Sequence, residues 1–266
     1  MATEEIAITA GLAATAYVAQ KLFGKTLEEM GDDLNRSYKS NRDKLLSKAA
    51  KKVRDPDDGA TPNLRVARDV VWNGAVTDDE VCAEYFGGLL ASSRSTDGKD
   101  DSALIYVDCI KALSSKQLHL HYIIYTALQD LLIKSGKDVN PGQGSEIGGQ
   151  AVWMPLNLVF AMGLRPDIDL NVLHRQGLLS AYSTNVKTHG SRALPYMSAN
   201  PTTFGILLYA AAMNALPTWS QFGKIKLPVS DEIACASVYA STLEELSKIT
   251  GLEIQDEVIA TSPDAA

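Results

Sequence analysis

Few residues in this chain have the types and spacing that could do chemistry, and each candidate fails a physical test. Gly24, Lys25 and Thr26 match the end of a phosphate-cradling loop, but the earlier glycine that the motif needs is Ala19 and no strand precedes it. Gly142 and Gly144 begin a dinucleotide fingerprint that breaks at Ile147, again without a strand in front. His119 and His121 stand two apart on a helical pattern and so point in different directions, which suits packing better than joint metal ligation. His174 and Arg165 are separated by Pro166 and a helix break. Asp78, Asp79 and Glu80 could be paired carboxylates for acid–base work, yet a helix cap accounts for all three. No serine sits in a nucleophile elbow. The expectation is a protein with no catalytic residue, no metal ligand and no cofactor. The enzymatic alternative is an unrecognised hydrolase whose site is assembled from distant residues.

Charge is the stronger signal. Arg36, Lys39, Arg42, Lys44, Lys48, Lys51, Lys52 and Arg54 face the single acid Asp43, giving +7 locally in a chain of net charge −7. With Leu34, Tyr38, Leu45, Leu46, Ala49 and Val53 as apolar companions, 34–54 is a basic amphipathic helix. It could lie on an anionic membrane surface, track phosphates or meet an acidic protein partner. The plainer alternative is a solvated face compensated by acids elsewhere. A smaller basic cluster, Lys187, His189 and Arg192, falls at a predicted hairpin tip. If nucleic acid were the ligand, those three should share a face with Lys224 and Lys226. The acidic balance of the whole chain argues against a surface built for nucleic acid.

The elements that must carry these residues read as mainly α, a multi-helix N-terminal bundle followed by a small winged-helix-like α+β segment with one short β-hairpin. Thr77 with Glu80 predicts a capping box, stapled by Val76 and Val81. The buried stripe that follows is Val81, Cys82, Tyr85, Phe86, Leu89 and Leu90. Gly87 and Gly88 interrupt it at about 1 kcal/mol each, which predicts a close helix crossing. Leu104, Ile105, Cys109, Ile110 and Leu113 form a second stripe. Ser114 with Gln117 opens a third helix that is apolar on nearly every side, as a central helix must be.

The bundle is predicted over 64–134 within a helical region 1–135. A glycine-rich linker or loop follows at 136–150, then the winged-helix-like segment with a C-terminal helix at 151–251, and a disordered tail at 252–266. Short helices are expected at 155–162 and 168–176, the latter stopped by Gly177, and short strands at 178–182 and 193–197. Asn200 and Pro201 read as the cap and first residue of the next helix, and a last helix is expected over 230–249.

At 266 residues with 45% hydrophobic and 21% charged side chains, the chain can bury a sizeable core. Cys82, Cys109 and Cys235 lack any CxxC spacing and read as reduced residues of a cytoplasmic protein. The uncharged stretch 6–19 is too short to span a bilayer, and Glu4 and Glu5 replace a signal peptide's basic start. Its alanines and glycine suit a closely packed helix, including a homo-oligomeric one.

The acidic cap leading into Leu89, Leu90, Ala91 and Ser92, then Ala112, Leu113 and Ser114 before a long helix, resembles the Abi-alpha family of bacterial proteins associated with abortive infection against phage. Leu173 through Leu179 resembles that family's Leu to Gly-Leu segment, and Thr202, Thr203, Phe204, Gly205 its closing Thr-x-Phe-Gly pattern. Tyr85, Phe86 and Gly87 depart from the family's usual Trp-Ala, and 210–212 lacks its frequent cysteine. The resemblance implies a non-enzymatic phage-defence protein, cytoplasmic or peripheral to the inner membrane, acting through protein or membrane-surface contacts. A nucleic-acid-binding regulator using the winged-helix-like segment is the non-enzymatic alternative.

Overall fold

The computed structural model describes residues 36–252. The readings of 6–19, of Gly24 to Thr26 and of the tail beyond 252 lie outside those residues. Helix α1 covers 36–52. A small two-stranded sheet pairs β1 (Thr61–Pro62) with β2 (Arg94–Ser95) around α2 (Leu64–Gly74) and α3 (Glu80–Ser92). The helices α4 (Leu104–Lys111) and α5 (Ser115–Ser135) complete this part of the fold.

α5 is the central helix that its sequence predicts. Ser114 Oγ accepts from Gln117 N–H at 3.3 Å while Gln117 Oε1 accepts from Ser114 N–H at 2.9 Å, closing the expected capping box. Leu118, Leu120, Tyr122, Ile123, Ile124, Tyr125, Leu128 and Leu132 are all buried, so the helix is covered on every side. α3 lies beside it, and its cap differs from the one predicted. Asp79 rather than Thr77 accepts from the amides of Val81 and Cys82, at 2.9 and 3.1 Å. The short carboxylate next to the first turn outcompetes a hydroxyl two residues farther back, and Glu80 is left for another partner. The glycine pair does mark close crossings: a Cβ on Gly87 would meet Lys48 Cβ at 2.8 Å and the Leu45 carbonyl at 2.9 Å.

The second half corrects the mainly α reading. About 53% of the described residues are helical and 14% are in strands, forming two small antiparallel sheets, so the fold is an α+β mix. The chain continues through α6 (Gly144–Gly148), β3 (Val152–Pro155), α7 (Leu156–Ala161) and α8 (Pro166–Arg175). Then come β4 (Leu179–His189), β5 (Arg192–Pro201), α9 (Thr203–Ala212), a 3-10 turn (Leu216–Gln221) and α10 (Leu243–Ile249). The three-stranded sheet has the order β3-β5-β4, with Met154 opposite Met197 and Tyr182 opposite Ala199.

The hairpin is therefore about twice as long as read, and a third strand covers its inner edge. β4 is an edge strand exposed along most of its length, so it carries no apolar alternation to betray it. β3 is four residues long and pairs with a strand more than forty residues away. Asn200 and Pro201 end β5, and Thr202 caps α9 instead, accepting from Gly205 N–H at 3.0 Å. The last helix is likewise shorter than expected: only Leu243–Ile249 is helical, with Thr242 as its cap.

The main core runs across the glycine-rich stretch, joining Leu89, Tyr122 and Leu132 to Ile147, Val152 and Met197. A smaller cluster of Leu194, Tyr196, Ala240 and Leu246 packs with Trp153. None of the described helices is long and apolar enough to cross a membrane.

Candidate binding cleft

Helices α1 and α3 meet through a ladder of charge. Lys44, Lys48 and Lys52 stand four residues apart and so share one stripe of α1, and Glu80 and Glu84 share one stripe of α3. Lys44 Nζ lies 2.9 Å from Glu80 and 3.0 Å from Asp78. Lys48 Nζ lies 3.4 Å from both Glu80 and Glu84 and donates to Glu232, while Lys52 donates to Glu84. The upper rungs are out of solvent: the side chains of Lys48, Lys52 and Glu84 are 8%, 9% and 7% exposed.

Burial and pairing pull these groups in opposite directions. For Lys48, burial opposes the ammonium form, but Glu232 and Glu84 outweigh it and the pKa is raised. For Lys52, burial prevails over Glu84 and the pKa is lowered, with Lys48 adding like-charge repulsion. Lys44 is raised, chiefly by its hydrogen bonds to Glu80 and Asp78.

This rearranges the basic face inferred from sequence. Lys44, Lys48 and Lys52 are committed to α3, and Arg42 pairs with its neighbour Asp43 at 2.7 Å. Arg36, Lys39, Lys51 and Arg54 are exposed. The basic helix thus forms an ionic seam with distant acids, with exposed cations beside it. The acids that complete the seam come from 26 or more residues away, which a reading of the helix alone does not count.

Where α1 ends, a cleft of about 970 Å³ opens between it, the end of α3, the turn after α9 and the irregular segment 225–232. Its walls carry the cations Lys48, Lys51, Lys52, Arg54, Arg94 and Lys226, the acids Asp55, Asp58, Glu84, Asp231 and Glu232, and the apolar surface of Ile225, Pro228 and Val229. Asn214 closes one end: held at φ 53°, it donates from Nδ2 to the Lys52 carbonyl at 2.8 Å and so satisfies a backbone acceptor at the end of α1. The facing segment is anchored from α5. Gln129 donates to the Phe222 and Ile225 carbonyls and accepts from Leu227 N–H at 3.0 Å, and Tyr122 Oη accepts from Ser230 N–H at 2.9 Å.

The other sequence candidates do not gather. At the hairpin tip, Lys187 donates to Ser247 Oγ and Arg192 to the Gly251 carbonyl, both at 3.0 Å, so its two cations turn to α10 and its C-terminal end. His189 is exposed, and Lys224 pairs with Asp138 at 2.9 Å. His119 bonds the Ala234 carbonyl at 2.7 Å. His121 is fully buried, its Nδ1 taking the Tyr85 hydroxyl at 2.5 Å while Nε2 makes no hydrogen bond. Arg165 pairs with Asp167, and His174 bonds the Leu179 carbonyl at 2.9 Å, so these two serve separate local ends. All three cysteines are free; burial pushes the Cys82 thiol up to about 12 and Cys109 up to about 11. Among the described residues no group of three or more His, Cys, Asp or Glu is placed to hold a metal ion.

Sequence reasoning missed Glu80, Glu84, Glu232 and Asn214 as partners of the basic helix. A signal existed for two of them: Glu80 and Glu84 repeat the four-residue spacing of the lysines. No family model, no curated protein and no solved structure matches this chain.

Proposed function

We propose that this chain is a non-enzymatic phage-defence protein of the abortive-infection type, which acts in the bacterial cytoplasm or at the inner membrane by holding a segment of a partner protein in the cleft at the end of α1. The observation that carries the reading is the composition of that cleft. It is about 970 Å³ in volume, within the usual range for ligand sites, and combines apolar walls with exposed cations at Lys51 and Arg54. The buried titratable groups on its wall, Lys48, Lys52 and Glu84, are tied to one another as ion pairs, an arrangement suited to recognition.

The resemblance supports the defence context. Its motif residues are fold-forming: Ser92 Oγ bonds the Ala211 carbonyl at 2.6 Å, Gly177 ends α8 at φ 72°, and a Cβ on Gly205 would lie 1.9 Å from the Tyr125 hydroxyl. They hold α3, α5 and α9 together, and Ser92 at the end of α3 also lines the cleft.

The test is phage plating on bacteria expressing the chain, beside a Lys51→Glu/Arg54→Glu variant and an empty control. Both positions are exposed, so the variant should fold. Reduced plaque formation with the unchanged chain and its loss in the variant is the expected result. Equal plating on all three, or undiminished protection by the variant, would refute the proposal.

A further inference from the structure

Lys48 and Lys52 are two buried ammonium groups set against one equally buried carboxylate, Glu84. A buried charge left uncompensated is costly, so the pair needs a second negative charge. Glu80 supplies part of it from 3.4 Å but is shared with Lys44, and the direct hydrogen bond to Lys48 comes from Glu232.

Glu232 is unlike the other acids of the seam. More than half of its side chain, 53%, is in solvent, against 7% for Glu84, and it arrives from an irregular segment on the far wall of the cleft instead of from α3. The backbone of that segment is fixed by Gln129 and Tyr122 and does not depend on the Glu232 carboxylate. The side chain can therefore leave Lys48 by rotation alone. The Glu232 carboxyl is held below its ordinary range chiefly by its hydrogen bond to Lys48, with a lesser electrostatic contribution from Lys51, which is exposed on α1 across the cleft. The position that Glu232 occupies is thus a carboxylate site with a buried cation behind it, opening on the cleft that Lys51 also lines, and filled by a carboxylate of the chain itself.

Building on the partner reading above, we propose that Glu232 is an internal surrogate for the partner: an acidic side chain on a turn of a partner segment replaces it on Lys48, in the field of Lys51, with its apolar neighbours against Ile225, Pro228 and Val229. The exchange swaps one carboxylate for another, so the buried lysines never lose their compensation. A carboxylate presented on a turn is favoured because that is what the site already accepts: Glu232 stands in the turn closed by the Ile233 N–H donating to the Ser230 carbonyl at 3.3 Å.

The probe is a fluorescently labelled synthetic copy of residues 227–233, and the same peptide with glutamine in place of Glu232, titrated by anisotropy at constant ionic strength. The proteins are the unchanged full chain, Glu232→Gln, and Glu232→Gln with Lys51→Ala. Glu232→Gln removes the resident negative charge while keeping the side chain's shape, and should bind the acidic peptide about tenfold more tightly than the unchanged chain does. The glutamine peptide should bind it about tenfold more weakly, and Lys51→Ala should weaken binding severalfold. Inorganic phosphate should displace the peptide no better than sodium chloride of equal ionic strength.

Equal affinity of the two peptides, no gain in Glu232→Gln, or specific displacement by phosphate would overturn the inference. Glu232→Gln leaves Lys48 to Glu80 and Glu84 and should lower the melting temperature somewhat, and a cooperative thermal transition checks that each variant is folded. Plating and peptide binding fail separately: a peptide-binding chain that gives no phage protection removes the defence role alone, and a protective chain indifferent to Glu232 removes this inference alone.

Discussion

Gly88 of α3 lies directly against the Ala212 carbonyl of α9; a Cβ built on it would sit 1.7 Å from that oxygen. The obstacle is backbone inside a packed helix pair, so it cannot rotate away. Gly88→Ala should therefore destabilise the protein by about 4 kcal/mol or more, at the severe end for a single substitution. Gly74→Ala is the control. Its Cβ would meet the Leu45 Cδ1 methyl at 2.3 Å, a side-chain end that can shift, so overpacking of about 1–3 kcal/mol is partly offset by better helix propensity. Urea unfolding of both variants checks the ordering, and equal midpoints would deny the close crossing.

The ionic seam predicts strong non-additivity. Removing the carboxylate in Glu84→Gln leaves Lys48 and Lys52 short of compensation in a buried site and should cost about 3–5 kcal/mol. Adding Lys52→Met to that variant removes the second buried charge as well. Lys48 keeps Glu80 and Glu232, so the double variant should recover most of the loss. Additive losses in denaturant unfolding would mean that the two residues do not interact.

His121 sets a pH dependence. Burial holds it neutral, pushing its pKa down to about 3 from its ordinary 6.5, with the nearby Gly205 backbone opposing. The unfolded chain takes up a proton as pH falls below about 6.5, whereas the folded chain resists until about pH 3. The stability associated with the neutral ring is complete above pH 6.5 and declines through that window by up to about 1.4 kcal/mol per pH unit. His121→Gln should flatten the stability profile between pH 6.5 and 4 relative to the unchanged chain. Parallel profiles for the two proteins would contradict a buried neutral histidine.

The parts of this fold that are legible in the sequence are those whose cause is local. The Ser114–Gln117 box and the all-round burial of α5 depend on neighbours within one helix, and Gly87 and Gly88 announce their crossings by being poor helix formers. What escaped notice depends on distant partners. β3 acquires its strand identity from β5, and β4 is polar on both sides because it is an exposed edge. The candidate site follows the same rule. The lysines of α1 are visible as a charge run, but whether they face solvent is decided by Glu80, Glu84 and Glu232, and Asp78, Asp79 and Glu80 at the start of α3 can all be explained as capping groups. Thr77 lost that competition to Asp79, which left Glu80 to Lys44.

The central claim is that the cleft beside Arg54 is where a partner is held, and cross-linking in living cells measures it most directly. A photo-reactive amino acid is placed at Arg54 on the cleft wall, or at exposed Val186 on the hairpin as a control, in bacteria undergoing phage infection. The account predicts a discrete higher-mass adduct from position 54 that disappears when Lys51→Glu is added, and none from position 186. Equal adducts from both positions, or none from position 54 in cells that the chain protects, would contradict it.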